Sequence, residues 1–591
     1  VYPTFSSNQN SVAQFSWCAV YLQLNAQAAG SVSGELQLLD SSKNIIPGSN
    51  AYLNGIGEGA AISVLSPPAI QAVALGLQAP QQVAADSLGN SYVADSTLGT
   101  IEQYPLSQGS TVVGTAYGTN LTKPTGVAVD GAGDLYIGDT GKVIEIPFIN
   151  GALATKQQTT LLTGLGDHLN LAADGLGNVY VADQDNKQVV KISNPELQLV
   201  LQNQPLNKVG SGVSFTGPSA IATDSSNNIW VADGSNLWEI SPTGNATEIT
   251  SSLAEPVTGL AIDPSGSIFV AQSGGLFWIP FEASSGGLNV NGAIQLVSTL
   301  GSSANPFSVA LDGFQNALVT YGSGTTAGLS QVGTGGSIDW GQIVPNQGND
   351  QEAQIYNIGN SSLMLSDFSG DLFTGANASD YLVGTPYDTP ACSASSAILP
   401  GTGCYYDITL TPSNPSGASS ASLAILSNAA NAPSVNVALA ANIVPDLRSP
   451  TTTSIAVTPS SGIVYPGSVS IAVTVSAVTA SNGTPSGTVT LYLTGEKVQT
   501  AQLVSGVATF TFSNLIGGPK TVRAEYGGAG VAGTAPDFAG SASKSSFTVA
   551  VATPVIAVGA PVGDTKSLTV WNGNTYLGET ATNTITASVT S

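Results

Sequence analysis

Charge is what this sequence has least of. Among 591 residues, Lys and Arg total 13, Asp and Glu total 37, and histidine occurs once. Charged residues make up 8%, against about 25% in an ordinary soluble domain, so the surface must be built from Ser, Thr, Asn, Gln and Gly. The balance, 13 − 37 = −24, argues against nucleic-acid backbones and anionic membranes as partners. Cysteine occurs three times and methionine once. His/Cys zinc spacing is absent. A Ser-His-Asp triad would have to use His168, and no GxSxG elbow accompanies it. No run of eighteen apolar residues exists; the most apolar stretch, 60–77, is broken by Pro67-Pro68, so no membrane span is expected. The shortage of Glu, Lys and Met excludes long helices and coiled coils. What is present is 68 Gly with abundant Val, Thr and Ala, a strand-and-turn composition. The length allows about four domains.

The chain repeats itself. Six copies of one unit open as PQQVAAD (80–86), PTGVAVD (124–130), HLNLAAD (168–174), PSAIATD (218–224), VTGLAID (257–263) and PFSVALD (306–312). Their aspartates, Asp86, Asp130, Asp174, Asp224, Asp263 and Asp312, are spaced by 44, 44, 50, 39 and 49 residues. A turn-forming pair follows each, and six residues past the aspartate stands Tyr92, Tyr136, Tyr180, Trp230, Phe269 or Leu318. Nine past it, four copies hold a second aspartate: Asp95, Asp139, Asp183 and Asp233. A short apolar strand, a Gly/Asn turn and an alternating strand make a meander. One such unit cannot bury both faces, so the copies must stack, and a 40–50-residue period with four strands per copy gives six propeller blades.

These residues resemble the NHL-repeat family, whose signature the second copy, PTGVAVDGAGDLYIGD, matches nearly position for position. The resemblance covers about 255 residues and implies a six-bladed NHL-type propeller. The last two copies depart from it, with Gln272 and Tyr321 in place of the second Asp. NHL-like amidating lyases depend on several metal-binding histidines, which this chain lacks. Six-bladed sugar-lactonase-like propellers use an oxygen-ligated metal.

The carboxylates therefore carry what chemistry there is. The first set precedes turns, where Asp accepts turn N–H groups. The second set, Asp95, Asp139, Asp183 and Asp233, closes the second strands at the opposite end of the blades. A ring of four acids offers the oxygen ligands that Ca²⁺ takes; capping of loops is the competing use. The recurring aromatics mark core between blades. Trp238, Phe277 and Trp278, on third strands, are less constrained, and one of them lining a glycan groove is the alternative. His168 occupies a slot that holds Pro in other copies and reads as a loop residue, with a lone base at a propeller mouth as the alternative.

Beyond the repeats the pattern changes to short Thr/Ser/Val strands between Asn-Pro-Gly turns, as in β-sandwiches. CSASSAILPGTGCYYDITLTPSNPSG (392–417) resembles the ASH, or choice-of-anchor, type of bacterial immunoglobulin-like module, which implies that Cys392 and Cys404 pair. GTVTLYLTGEKVQTAQLVSGVATFTFSNLIGGPKTVRAEYGG (487–528) resembles the bacterial Ig-like repeats of surface adhesins. SWCAVYLQLNAQAAGSVSGELQLLD (16–40) resembles the second half of the ASH-type module, with Cys18 in the slot of Cys404 and Ser6 where its partner is expected. The sequence opens at Val1 without a leader, so a signal peptide has gone or lies upstream.

The expected organisation is a partial Ig-like module over 1–70, a propeller over 71–335, an ASH-type module over 336–445, an Ig-like repeat over 446–552, and the first strands of a further module over 553–591. Two half-modules leave strand edges unpaired, which reads either as a fragment or as strand addition between copies. The interchain residues would be Leu22, Leu24, Leu36 and Leu38 at one end, and Ile585 and Val589 at the other. The resulting expectation is an all-β, secreted or bacterial cell-surface, non-enzymatic structural or adhesive protein, a filament subunit or homo-oligomer contacting glycan or surface protein, with no required cofactor. The alternatives are a metal-dependent lactonase- or lyase-like enzyme and a passive glycan- or protein-binding propeller.

Overall fold

The computed structural model describes residues 29–550 apart from 43–45, 47–50, 67, 87–88, 106–111, 150, 195–205, 251–252, 283–286, 299, 301–305, 344–348, 367–371, 385–387, 389, 415, 445–447, 465–466, 480–482, 494–498, 516–517 and 529–537, together with 21–22, 26, 570–571 and 576–577. Strands dominate, and short 3-10 turns are the only helical pieces among the described residues.

Each repeat folds into one four-stranded antiparallel blade. The inner strands are Pro80–Ala85, Gly126–Val129, Leu169–Ala173, Pro218–Thr223, Val257–Ile262 and Pro306–Leu311. They lie side by side in a closed ring, the last against the first. The turn after each aspartate needs one left-handed residue, and Gly89, Gly133, Gly177, Asn227, Gly266 and Gln315 supply it with φ between 61° and 93°; Gly and Asn reach that region at least cost. The second strands, such as Ser91–Asp95 and Ile229–Asp233, are buried at every residue. At roughly 1.5–3 kcal/mol per fully buried large apolar side chain, stacking of blade on blade is what makes each unit stable.

Blade six closes with a strand from far upstream. Its first three strands are Pro306–Leu311, Ala317–Tyr321 and the start of Gly328–Ile343, and its outer strand is Pro68–Ala72, paired antiparallel with Ser330–Val332. The ring is thereby fastened by pairing the two ends of the propeller segment.

The strand Gly328–Ile343 runs sixteen residues without a break and leaves the propeller to pair in parallel with Ser434–Ile443. That second strand alternates exposed and buried along its whole length, the period-two pattern of a sheet with one face in a core. Two sheets enclose this core, which contains Ile338, Ile355, Tyr406, Ile408, Leu423 and Val437. Here the sequence-based organisation is redrawn. Ile62–Ser66, expected in an N-terminal module, forms the edge strand beside Asn349–Asn357, with Ile62 and Val64 in the core. The unpaired edge of Asn349–Asn357 is covered by it, which is the physical reason for the placement. A second two-sheet sandwich spans Thr451–Ala550 around Ile471, Val473, Leu491, Phe510 and Val522.

The sandwiches meet through charge. Lys544 Nζ lies 3.0 Å from Asp350 and 2.8 Å from Asp407, while Arg523 donates to the Asp350 carbonyl at 3.0 Å. Burial pushes the Asp407 carboxyl up against the pull of Lys544. Burial would raise Asp350 too, but the Thr409 hydroxyl, Arg523 and Lys544 hold it below the ordinary carboxylate range.

Candidate functional site

The six turn aspartates each organise a turn and reach one step further. Asp174 accepts from the N–H groups of Leu176 and Asn178, the Asn178 amide and the Tyr180 hydroxyl. Asp86 receives Tyr92, Asp130 receives Tyr136, and Asp224 receives the Trp230 indole at 3.1 Å. Phe269 and Leu318 have no polar hydrogen to give. In their blades a third-strand residue compensates: Trp278 donates to Asp263 at 2.8 Å and Gln331 to Asp312 at 3.2 Å. The Asp-to-turn reading agrees with these bonds; the link to the third strand was not visible in the repeat pattern.

This places Trp278 away from any groove. It is fully buried, edge-on to Tyr356 at 4.8 Å, and so joins blade five to the sandwich. Trp238 packs edge-on against Phe215 at 6.5 Å, and Phe277 is half-buried. Of the three third-strand aromatics considered for a glycan groove, Trp278 is therefore excluded: its indole N–H is consumed by a buried carboxylate.

The second aspartates sit at the opposite ends of the blades, and each serves its own loop. Asp95 accepts from the N–H groups of Gln78, Ala79, Thr97 and Leu98. Asp139 accepts from Thr122 and Lys123, with Lys142 at 3.4 Å. Asp183 takes Gly166, Asn186 and Gln188, and Asp233 takes Thr216 and Gly217. All four are buried. In each blade the second aspartate ties the loop some sixteen residues upstream to the end of its second strand. A carboxylate offers about four acceptor positions, and these are filled by protein donors. Among the described residues, no three His, Cys, Asp or Glu side chains gather as a metal site requires. The arrangement does not fit the Ca²⁺ ring considered from the sequence.

Cys392 and Cys404 form a disulfide with Cα atoms 4.9 Å apart. Leu36 pairs with Ala51 inside the chain, while Leu22 and Leu38 are exposed. Leu24, Ile585 and Val589 lie outside the described residues.

The propeller axis is narrow. A channel of about 210 Å³ is lined by the inner strands, including Val127, Leu171, Ile221, Leu260 and Val309. Gln82 reaches across it: its amide oxygen accepts from Val127 and Leu171 at 3.0 and 2.8 Å, and its amide nitrogen donates to the Leu171 carbonyl. Blade one is thereby tied to blades two and three.

Over the turn end lies the antiparallel pair Gly30–Leu36 and Ala51–Gly57. Tyr52 donates to Asp130 at 2.9 Å. A Cβ on Gly131 would fall 2.1 Å from the Ser33 hydroxyl, and one on Gly177 would fall 2.4 Å from the Tyr52 ring. Gly30 touches Pro264 of blade five. The pair thus crosses the turn end from blade five to blades two and three, and the glycines are what allow it so close.

Two features remain open. At the loop end, His168 Nδ1 lies 3.0 Å from Asp185, whose other oxygen accepts the N–H groups of Asp167 and His168. The imidazole holds the Asp185 carboxyl below its ordinary range, and the His168 side chain is half exposed. At the turn end, between blades four and five, a cavity of about 400 Å³ is lined by Trp230, Glu239, Ile249, Ile262, Phe281 and Leu288, with Asp224 and the Asp263 turn at its rim.

No family model matches the sequence, and no curated protein matches it. Similar solved structures include virginiamycin B lyase from Staphylococcus aureus, 11% identical over 44% of this chain and 98% of that one, with a TM-score of 0.33. Another is the PQQ-bound aldose sugar dehydrogenase from Streptomyces coelicolor, 13% identical over 47% and 99%, with a TM-score of 0.34. A third is a chain of the nidogen/laminin complex, 17% identical over 39% and 85%, with a TM-score of 0.31. The expectation of a chain without enzymatic activity is corrected on this finding, since enzymes are among the similar propellers. At such identities the likeness concerns the fold and assigns no reaction.

Proposed function

We propose that this chain is a secreted or surface-displayed binding protein of bacterial type, in which an NHL-type propeller recognises a ligand and immunoglobulin-like sandwiches hold it at a fixed angle. The observation that carries the reading is the unbroken strand Gly328–Ile343, shared by blade six and the first sandwich. Both halves of that strand are hydrogen-bonded, the Thr334 N–H to Asn316 bond holds the Gly-rich stretch between them, and the Trp278–Tyr356 contact and the Ser265 N–H to Ile358 carbonyl bond stiffen the same joint. Rigid presentation suits recognition at a distance from a surface. The Cys392–Cys404 disulfide fits an oxidising compartment, and no described helix is long and apolar enough to cross a membrane. The test is protease shaving of intact source cells followed by detection of propeller peptides, paired with thiol labelling. Peptides released from intact cells and an oxidised Cys392 support the reading; a chain recovered only from the cytosol with Cys392 reduced overturns it.

A second reading, chemistry at the loop end, is favoured by one arrangement. With Nδ1–H donating to Asp185, the other nitrogen of His168 is the basic one. A partly exposed imidazole oriented by a carboxylate is a general base by geometry. Loss of a turnover activity in His168→Ala, with the fold retained, is the result this reading requires.

A further inference from the structure

One position of the repeat varies from blade to blade. Opposite Tyr92, Tyr136, Tyr180, Trp230, Phe269 and Leu318 of the second strands stand the third-strand residues Gln103, Glu145, Lys191, Glu239, Trp278 and Gln331. Gln103 donates to the Tyr92 hydroxyl, Lys191 sits 5.3 Å over the Tyr180 ring, and Trp278 and Gln331 donate to their turn aspartates. Two blades carry an acid here instead: Glu145, buried in blade two, and Glu239, which lines a cavity and makes none of these contacts. Its side chain forms no hydrogen bond or ion pair among the described residues. It stands beside the Asp224 carboxylate, whose acceptor positions are filled by Ser226, Asn228 and Trp230. Burial, and then the Asp224 charge, push the Glu239 carboxyl up. A half-buried acid beside a like charge, with no donor of its own, is a local conflict of the kind that marks a site.

The surroundings say what is missing. Glu239 opens into the 400 Å³ cavity between blades four and five, a volume within the range of small-ligand sites. The lining carries no Lys, Arg or His; its apolar walls are Ile249, Ile262, Phe281, Leu288 and the Trp230 ring, beside the polar groups of Ser225, Ser226 and Ser265. An anion would meet Glu239 and Asp224 with nothing to compensate it. A neutral apolar molecule would leave Glu239 desolvated and unpaired. A cation with an apolar body satisfies both halves: its charge pairs with Glu239, and its carbon surface lies on the aromatic and aliphatic walls.

We propose that the cavity between blades four and five binds a small organic ammonium ion, with Glu239 as its counter-charge and Trp230 and Phe281 as its walls. This rests on the propeller's being a binding module and names the class of ligand at one of its faces. Once a cation is bound, the conflict between Glu239 and Asp224 is relieved, so affinity falls as pH is lowered and Glu239 takes up a proton. The titratable groups facing it are Asp224 from blade four and Asp263 from blade five.

The test is calorimetric titration of the full chain with choline and, separately, with its neutral carbon isostere 3,3-dimethylbutan-1-ol. Saturable choline binding at least about tenfold tighter than the alcohol, weakened at least about tenfold by Glu239→Gln and falling at acid pH, is the expected result. Matching thermal melts show that the variant is folded. Gln184→Ala, exposed at the loop end of blade three and away from the cavity, serves as a second control and keeps the affinity. Equal binding of the alcohol, an unchanged Glu239→Gln, or no saturable choline binding by the folded wild type each overturns the proposal. None of these outcomes touches the cell-surface reading, which shaving and thiol labelling decide by themselves.

Discussion

Trp278 and Asp263 are joined by a bond that only the third dimension makes. The indole nitrogen on the third strand of blade five lies 2.8 Å from the carboxylate that opens the blade's first turn. It takes the place of the second-strand hydroxyl or indole that serves the same aspartate in blades one to four, where blade five has Phe269. The sixth blade finds a different answer in Gln331. A buried carboxylate left one donor short costs more than the bond itself contributes, so each blade that lost the aromatic donor needed another.

Replacing Trp278 by Phe keeps most of the apolar volume and removes that donor. The expected loss is about 1–3 kcal/mol of stability, read as a lower urea midpoint with unchanged slope. Phe277→Leu, on a half-buried neighbour, is expected to cost clearly less. Equal effects would show that packing, and not the bond, matters at position 278.

Asp263 also makes stability depend on pH. Burial pushes its carboxyl up to about 7 despite bonds from Ser265, Ser267 and Trp278, whereas an unfolded Asp titrates near about 3.9. Between these values the folded chain holds a proton that the unfolded chain has released. The contribution is therefore fully present below about pH 4 and lost as pH rises through about 7. Wild type should lose more stability than Asp263→Asn between pH 5 and 8, measured as the difference in urea midpoints. Parallel profiles would refute this.

Gln82 ties three blades together across the channel. Gln82→Leu would leave the Val127 and Leu171 N–H groups without this acceptor, at about 1–3 kcal/mol for each group so stranded. Gln82→Glu should be worse at neutral pH, because a carboxylate would be buried among Val, Leu and Ile side chains. Thermal melts of the two variants check the order.

At the sandwich joint, Lys544→Met removes the cation shared by Asp350 and Asp407. Lys544 is about a third exposed, so solvent screening reduces the cost to about 1–2 kcal/mol, below that of a fully buried pair. The more telling readout is small-angle scattering: a wider distribution of end-to-end distances in Lys544→Met than in wild type. An unchanged distribution would mean that Arg523 and the remaining contacts set the angle without Lys544.

Reduction of Cys392–Cys404, or Cys404→Ser, should cost about 2–4 kcal/mol, the usual value for a short closed loop. Protease sensitivity is expected to rise within 336–443 first, because the bond lies inside that sandwich.

Much of the fold is written locally. The six aspartates, the left-handed residues three positions beyond them and the buried second strands follow from patterns within one repeat, since turn chemistry and period-two burial are short-range. The role of Asp95, Asp139, Asp183 and Asp233 was harder to read. A carboxylate at a strand end looks the same in sequence whether it serves a metal or its own upstream loop. Only the loop's N–H groups, returned to it by folding, separate the two.

The opening scarcity of charge takes on a different meaning in three dimensions. Sequence by itself determined that the chain is all β, that six like units must stack, and that few cations exist to neutralise its acids. Tertiary structure decided where the scarce charges went: Lys544 and Arg523 to the joint between sandwiches, and none to the lining of the cavity beside Glu239. It also decided that 62–66 and 68–72 serve two different sheets, neither adjacent in sequence. The reason is physical. Alternation along a strand says which face is buried, but a strand's two edges carry the same N–H and C=O groups whatever its sequence, so its partners are chosen by the whole fold.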